Sequence, residues 1–201
     1  MGHYYYLGAQ LPYLIYGQNP PMSSLTFKAM AWEQMSSSDA ALLDFCTLDP
    51  DPPGDQPVSG GTYAEAPPHT PSRFINQWRE WERSLRLNLA RLRGVKLRRE
   101  GTGEAPEYPA EAVQTAKSAM AIDSPLEAEL FLDKARWDAI ESFQGMDVFS
   151  TNAIYAYLLK LLLMERRQAF RAEEGYDQYK GLYAAILGFE AEADKPIGEA
   201  K

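Results

Sequence analysis

The chain has 201 residues, 45% of them apolar and 24% charged, with a formal net charge of −8 and a mean hydropathy of −0.40. That length and apolar share provide one substantial core, whereas the most apolar stretch, 161–164 with its near neighbours, falls far short of the roughly 20 residues of a bilayer span. A single cysteine, Cys46, excludes an internal disulfide framework, and with no basic and apolar leader at the N-terminus the expectation is a cytoplasmic protein.

Residues 1–48 read as an N-terminal helical segment. Asn19-Pro20-Pro21 breaks the chain, Ser23 or Ser24 is placed to cap a helix, and Leu25, Phe27, Met30, Ala31 and Trp32 follow with partly helical spacing. Residues 36–39 interrupt, and 40–46 resume as a short helix, so a helical hairpin is expected. Residues 49–71 form a proline- and glycine-rich loop, with seven prolines and three glycines between 50 and 71; such a stretch neither continues a helix nor buries enough apolar surface to fold alone.

The main helical bundle spans 72–190. Ser72 opens a helix reaching about residue 99, in which Phe74, Trp78, Trp81, Leu85, Leu89, Leu92 and Val95 recur at steps of three and four. That stripe is about 40 Å long at 1.5 Å per residue. A break at 101–106 precedes a weaker helix over 109–122. Ser124-Pro125-Leu126-Glu127 then combines a cap serine, proline at the first helical position and glutamate three after the cap. The helix it starts ends at Gln144-Gly145; Ser150 starts the next, which runs to Gly175, and a last helix over 176–189 leads into a polar tail, 191–201. The prediction is an all-α bundle of about six to seven helices with a long central helix.

Two of these helices carry a carboxylate in the middle of an apolar stripe. At 100° per residue, Asp133 lies between Leu130, Trp137 and Ile140, and Glu165 between Leu158 and Leu161. Asn88 holds a similar position between Leu85 and Leu92. Charge in a core is costly unless paired, so a shared polar network of Asn88, Glu129, Asp133, Arg136, Glu165 and Arg166 is the expectation. A carboxylate-bridged dimetal site is the sharper alternative, but His3 and His69 are the only histidines and neither stands three after a helical glutamate. No phosphate-binding loop, zinc cysteine pair or nucleophile elbow is present. Cys46 has no helical histidine to serve as its base and reads as a small core residue. The expectation is no catalytic residue, no metal and no cofactor.

Residues 72–99 hold nine basic and two acidic side chains, a local charge of +7 that leaves −15 on the remainder. Arg79, Arg83, Arg86, Arg91 and Arg93 are the candidate partner-binding basic face. A pI near 4.9 argues against nucleic acid, and an acidic protein surface is the expected partner.

Four segments together resemble one bacterial family: Tyr4-Tyr5-Tyr6-Leu7-Gly8-Ala9-Gln10-Leu11-Pro12; Trp78-Arg79-Glu80-Trp81-Glu82-Arg83-Ser84-Leu85-Arg86; Ser124-Pro125-Leu126-Glu127-Ala128-Glu129 with Leu132-Asp133-Lys134-Ala135-Arg136-Trp137; and Tyr155-Ala156-Tyr157-Leu158-Leu159-Lys160-Leu161-Leu162-Leu163-Met164-Glu165-Arg166. The genes of that family lie within operons for the rotary V-type (A-type) ATPase. The resemblance implies a non-catalytic accessory, coupling or assembly subunit in ion-transport coupling. Its role would be like that of the central-stalk component that caps the membrane rotor ring and receives the shaft, which is all-helical with buried polar pairs. The implied partners are the rotor ring or central shaft, reached at the inner membrane through protein contacts only. The alternative is a helical enzyme or regulator that shares the operon, with a ligand-sized pocket of convergent polar groups and an accessible Asp133 or Glu165.

Overall fold

The computed structural model describes residues 4–48, 69–98 and 105–169. Seven α-helices lie among them: α1 (Tyr5–Gln10), α2 (Ser24–Gln34), α3 (Ser37–Ala41), α4 (Arg73–Lys96), α5 (Ala110–Met120), α6 (Pro125–Gln144) and α7 (Thr151–Ala169), with a 3-10 turn at Leu42–Phe45 directly after α3. No strand occurs among the described residues, and the protein is an all-α helical bundle. Residues 49–68 of the expected loop over 49–71, the helix over 176–189 and the tail 191–201 lie outside the described residues.

Serines set five of the helix starts. Ser23, Ser36, Ser72, Ser124 and Ser150 each accept a backbone N–H three residues on, from Thr26, Asp39, Ile75, Glu127 and Ala153, at 3.0 to 3.4 Å. Each such cap is worth about 1 kcal/mol over alanine. Ser36 corrects one expectation, because 36–39 does not interrupt a helix but begins α3. The chain then tightens into the 3-10 turn, so the expected helix over 40–46 is not continuous. At the far end of α4 the helix stops at Lys96, short of residue 99, and Arg98 takes a left-handed φ of 52°.

The long helix α4 is central. Its stripe is buried from Phe74 through Trp78, Trp81 and Leu85 to Leu89, whereas Val95 is exposed, so the last turn emerges from the bundle. Trp78 and Trp81 stack with ring centres 6.0 Å apart, and Phe74 faces Tyr155 of α7 at 6.4 Å. On α6 the expected stripe is displaced: Leu126 and Leu130 are exposed, and Leu132, Trp137 and Ile140 face the core with Asp133 and Arg136. Neighbouring helices, which the sequence does not reveal, decide which arc of α6 is covered.

The described residues up to Glu165 belong to one compact unit that includes the N-terminal segment. A segment of that size cannot enclose a core alone. Phe27, Ala31, Leu43 and Cys46 join Phe74, Trp78 and Tyr155 in one hydrophobic cluster. Directed bonds fix the segment to the bundle: Trp78 Nε1 donates to Thr47 O at 2.9 Å, Tyr155 Oη to Asp39 O and Tyr157 Oη to Pro12 O, both at 3.0 Å. The Tyr4 N–H donates to Phe149 O at 2.8 Å. Gly8 sits where α1 meets this corner, and a Cβ there would lie 2.8 Å from the Phe149 ring.

Candidate functional site

The charged centre of the bundle is built from α4 and α6. Arg136 donates from Nε and an Nη to the Glu82 carboxylate at 3.0 to 3.2 Å, and its other Nη donates to Asp133 Oδ1 at 3.2 Å. Arg86 Nε donates to Glu82 Oε1 at 2.9 Å, and Arg86 Nη2 to the Leu48 carbonyl at 2.6 Å. Glu82 is 0% exposed, and Asp133 and Arg136 are each 4% exposed. Two carboxylates therefore meet two guanidinium groups among the described residues. Burial works against the charged form of Arg136, but Glu82 above all, with Asp133 and Glu129, more than offsets it and raises its pKa. A permanently charged guanidinium holding both carboxylates has no proton to exchange at neutral pH, so the cluster is suited to orienting α6 against α4.

Of the six residues expected to share a network, the described residues show these hydrogen bonds and ion pairs. Asp133 and Arg136 come together, but their third member is Glu82. Glu165 instead lies at the start of α2, where its two carboxylate oxygens accept the Ser24 backbone N–H at 2.6 Å and the Ser24 hydroxyl at 2.7 Å. The positive end of a helix and a short charge-assisted pair explain that position. Asn88 donates to Ser84 O and Pro106 O, both at 2.9 Å, and Glu129 meets Arg93 at 3.5 Å near the surface. Arg166 belongs to the unit that begins at that residue. Asp133, Glu165 and Asn88 thus bond to Arg136, Ser24 and the Ser84 and Pro106 carbonyls respectively.

Glu82 was legible in principle. It lies about 60° from the centre of the α4 stripe, inside the arc a core-facing helix covers, and Arg86 follows four residues later.

Glu165 caps a helix on another segment, so Glu165→Ala should loosen α2 at its N-terminus. The expected cost is about 1 to 2 kcal/mol, read as a fall in thermal midpoint, with Glu165→Gln intermediate because it retains an acceptor. Equal stability of all three proteins would show that the contact contributes nothing.

Cys46 is 1% exposed, and burial pushes its thiol far above the ordinary range, with Lys28 lowering it only in small part. The thiolate is the nucleophile, so native protein should resist iodoacetamide at a pH of about 8, near the ordinary thiol pKa, and react only after unfolding. Rapid stoichiometric alkylation of the folded protein would contradict this burial.

The five arginines expected to form one basic face are not equivalent. Arg79 is 8% exposed, with its guanidinium 5.7 Å from the centre of the Phe45 ring. Arg83 is half-buried, Arg86 is held by Glu82 and Leu48, Arg93 faces Glu129 and Arg91 is exposed. Self-complementation within the fold takes up much of the charge that looked available in sequence.

Two concavities remain of interest. One, of about 230 Å³, is lined by His69, Asn76, Arg79, Glu80, Arg83, Ser84, Pro106 and Tyr108. The other, also about 230 Å³, is a groove beside α1 and α7 whose wall includes Leu11, Tyr13, Leu14, Val148, Ile154 and Tyr157. Neither wall contains Asp133 or Glu165. No cluster of three or more metal-ligating side chains occurs among the described residues, and no described helix is long and apolar enough to cross a membrane.

Fold and site define an all-α bundle with a buried ion cluster between two of its helices. Protein-family models, curated proteins and solved structures were each compared with the chain, and none matches.

Proposed function

We propose that this protein is a non-catalytic accessory, coupling or assembly subunit of a rotary V-type ATPase, with a central-stalk role between rotor ring and shaft. The observation that carries a binding role is the exposed apolar corner between α1 and the α6–α7 connection. Tyr13 is 87% exposed, Met146 101% and Val148 59%. Tyr13 and Val148 line the apolar groove, and Tyr5, also exposed, packs on Phe149 with ring centres 5.1 Å apart. Clustered exposed aromatic and aliphatic side chains mark a surface used for protein contact. The partner comes from the family resemblance of four segments, two of which, 4–12 and 155–166, meet at this corner through Leu11, Pro12 and Tyr157.

A coupling part transmits torque through rigid contacts, and the Glu82–Arg136–Asp133 cluster between α4 and α6 supports that use. The reading assigns the protein no catalytic step and puts it at the inner membrane through protein partners. A tagged pull-down from gently solubilised native membranes tests it. Catalytic and shaft subunits of the ATPase recovered at one copy per complex are the expected result. Recovery of the protein alone from the soluble fraction would overturn the reading.

A further inference from the structure

Three of the four tryptophans are buried, and two of those three have an acceptor for the indole N–H. Trp78 Nε1 donates to Thr47 O and Trp137 Nε1 to Glu141 Oε1, both at 2.9 Å. Trp81 is 2% exposed, and its Nε1 has no hydrogen-bond partner. A buried donor without an acceptor is costly, which makes this group the one that needs explaining. The ring stacks on Trp78 with centres 6.0 Å apart, so packing rather than a polar contact sets its orientation.

Trp81 lines a cavity of about 350 Å³ between α4, α5 and α6. That volume lies at the lower end of the usual range for small-molecule sites. Helix α5 contributes Glu111 and Thr115, one turn apart, and α6 contributes Phe131, Ala135 and Ala139, which fall on one arc of about 80° at the helical repeat. Other polar groups of the wall are already engaged: Lys134 is bonded to Asp138, and Ser142 Oγ donates to Ala139 O at 2.8 Å. The side chains of Glu111 and Thr115 make no hydrogen bond or ion pair among the described residues. Two carboxylates against one ammonium in the lining disfavour an anion, whereas the Trp81 N–H calls for an acceptor.

We infer that this cavity binds a small neutral amide. Its carbonyl accepts the Trp81 N–H, its N–H groups meet Glu111 and Thr115, and its apolar body rests on Phe131, Ala135 and Ala139. The indole nitrogen is covered, so the ligand reaches it as an outer side chain turns aside. Glu111, Phe131, Lys134 and Asp138 are all exposed, and rotating them sacrifices little buried apolar area. The site shares no residue with the groove at the α1 corner and does not rest on the ATPase reading.

The full-length protein, labelled with ¹⁵N, would be titrated with benzamide and, separately, with benzoate and benzylamine. These analogues keep the ring but replace the neutral amide by an anion or by a cation without an acceptor. Trp81→Phe assigns the indole resonance by its disappearance. Benzamide is expected to move the Trp81 Nε1–H signal downfield and saturably, and to bind more tightly than either analogue. Ala135→Leu, a half-buried change on the cavity wall, should abolish the shift, and Ala128→Leu, equally half-buried on α6 but outside the cavity, should leave it unchanged. Thr115→Val is a second, milder variant and should weaken binding by about two- to tenfold, the range carried by one neutral hydrogen bond. No saturable shift up to about 20 mM benzamide, beyond which binding is weaker than any useful site, would overturn the proposal. A wild-type response in Ala135→Leu or Thr115→Val, or tighter binding of benzoate or benzylamine, would overturn it as well.

Discussion

Arg136→Met should strongly destabilise the protein. It removes the cation that bonds both Glu82 and Asp133, and Glu82, at 0% exposure, would be left to its bond from Arg86. Losing one partner of a buried ion pair costs about 3 to 5 kcal/mol, because the charge left behind is neither hydrated nor fully paired. At about 2 to 4 °C per kcal/mol for a chain of this size, the thermal midpoint should fall by roughly 10 °C. A triple variant, Arg136→Met with Glu82→Gln and Asp133→Asn, carries no ionised group at those three positions and should recover part of the loss. A triple variant no more stable than the single one would mean that volume and packing, not unpaired charge, set the cost.

The second large effect concerns binding. Replacing Tyr13 and Met146 together by serine removes the two most exposed large apolar side chains of the α1 and α6–α7 corner. Neither side chain is buried, so stability should change by no more than about 0.5 kcal/mol. If this corner meets the ATPase, each residue is placed as an interface anchor, and loss of one anchor costs about 2 kcal/mol or roughly thirtyfold in affinity. The doubly substituted protein should therefore fold normally and fail to co-purify with the complex. Retention at wild-type stoichiometry would move the docking surface elsewhere.

The helices themselves were legible because their signals are local. Ser72, Ser124 and Ser150 cap helices through N–H groups only three residues away, and the aromatic and leucine spacing of α4 marks a buried stripe that the structure covers from Phe74 to Leu89. Pairings across the fold were not legible in that way. Periodicity placed Asp133 in the core, yet its cluster is completed by Glu82, 54 residues from Arg136. Glu165 reaches Ser24, 141 residues away. No period within a helix carries information about which segment arrives opposite.

By itself, the sequence determined an all-α chain, the starts of its main helices and the presence of carboxylates on core-facing arcs, since capping and amphipathic periodicity act within one or two turns. Tertiary structure alone decided that Arg79 is covered beside Phe45, that Arg86 and Arg136 share one glutamate, and that two asparagines on α4 bond the backbone carbonyls of Thr70 and Pro106. Those outcomes depend on the helices' relative heights and rotations. Ridge-and-groove packing and the satisfaction of buried polar groups select them only when all the helices are assembled.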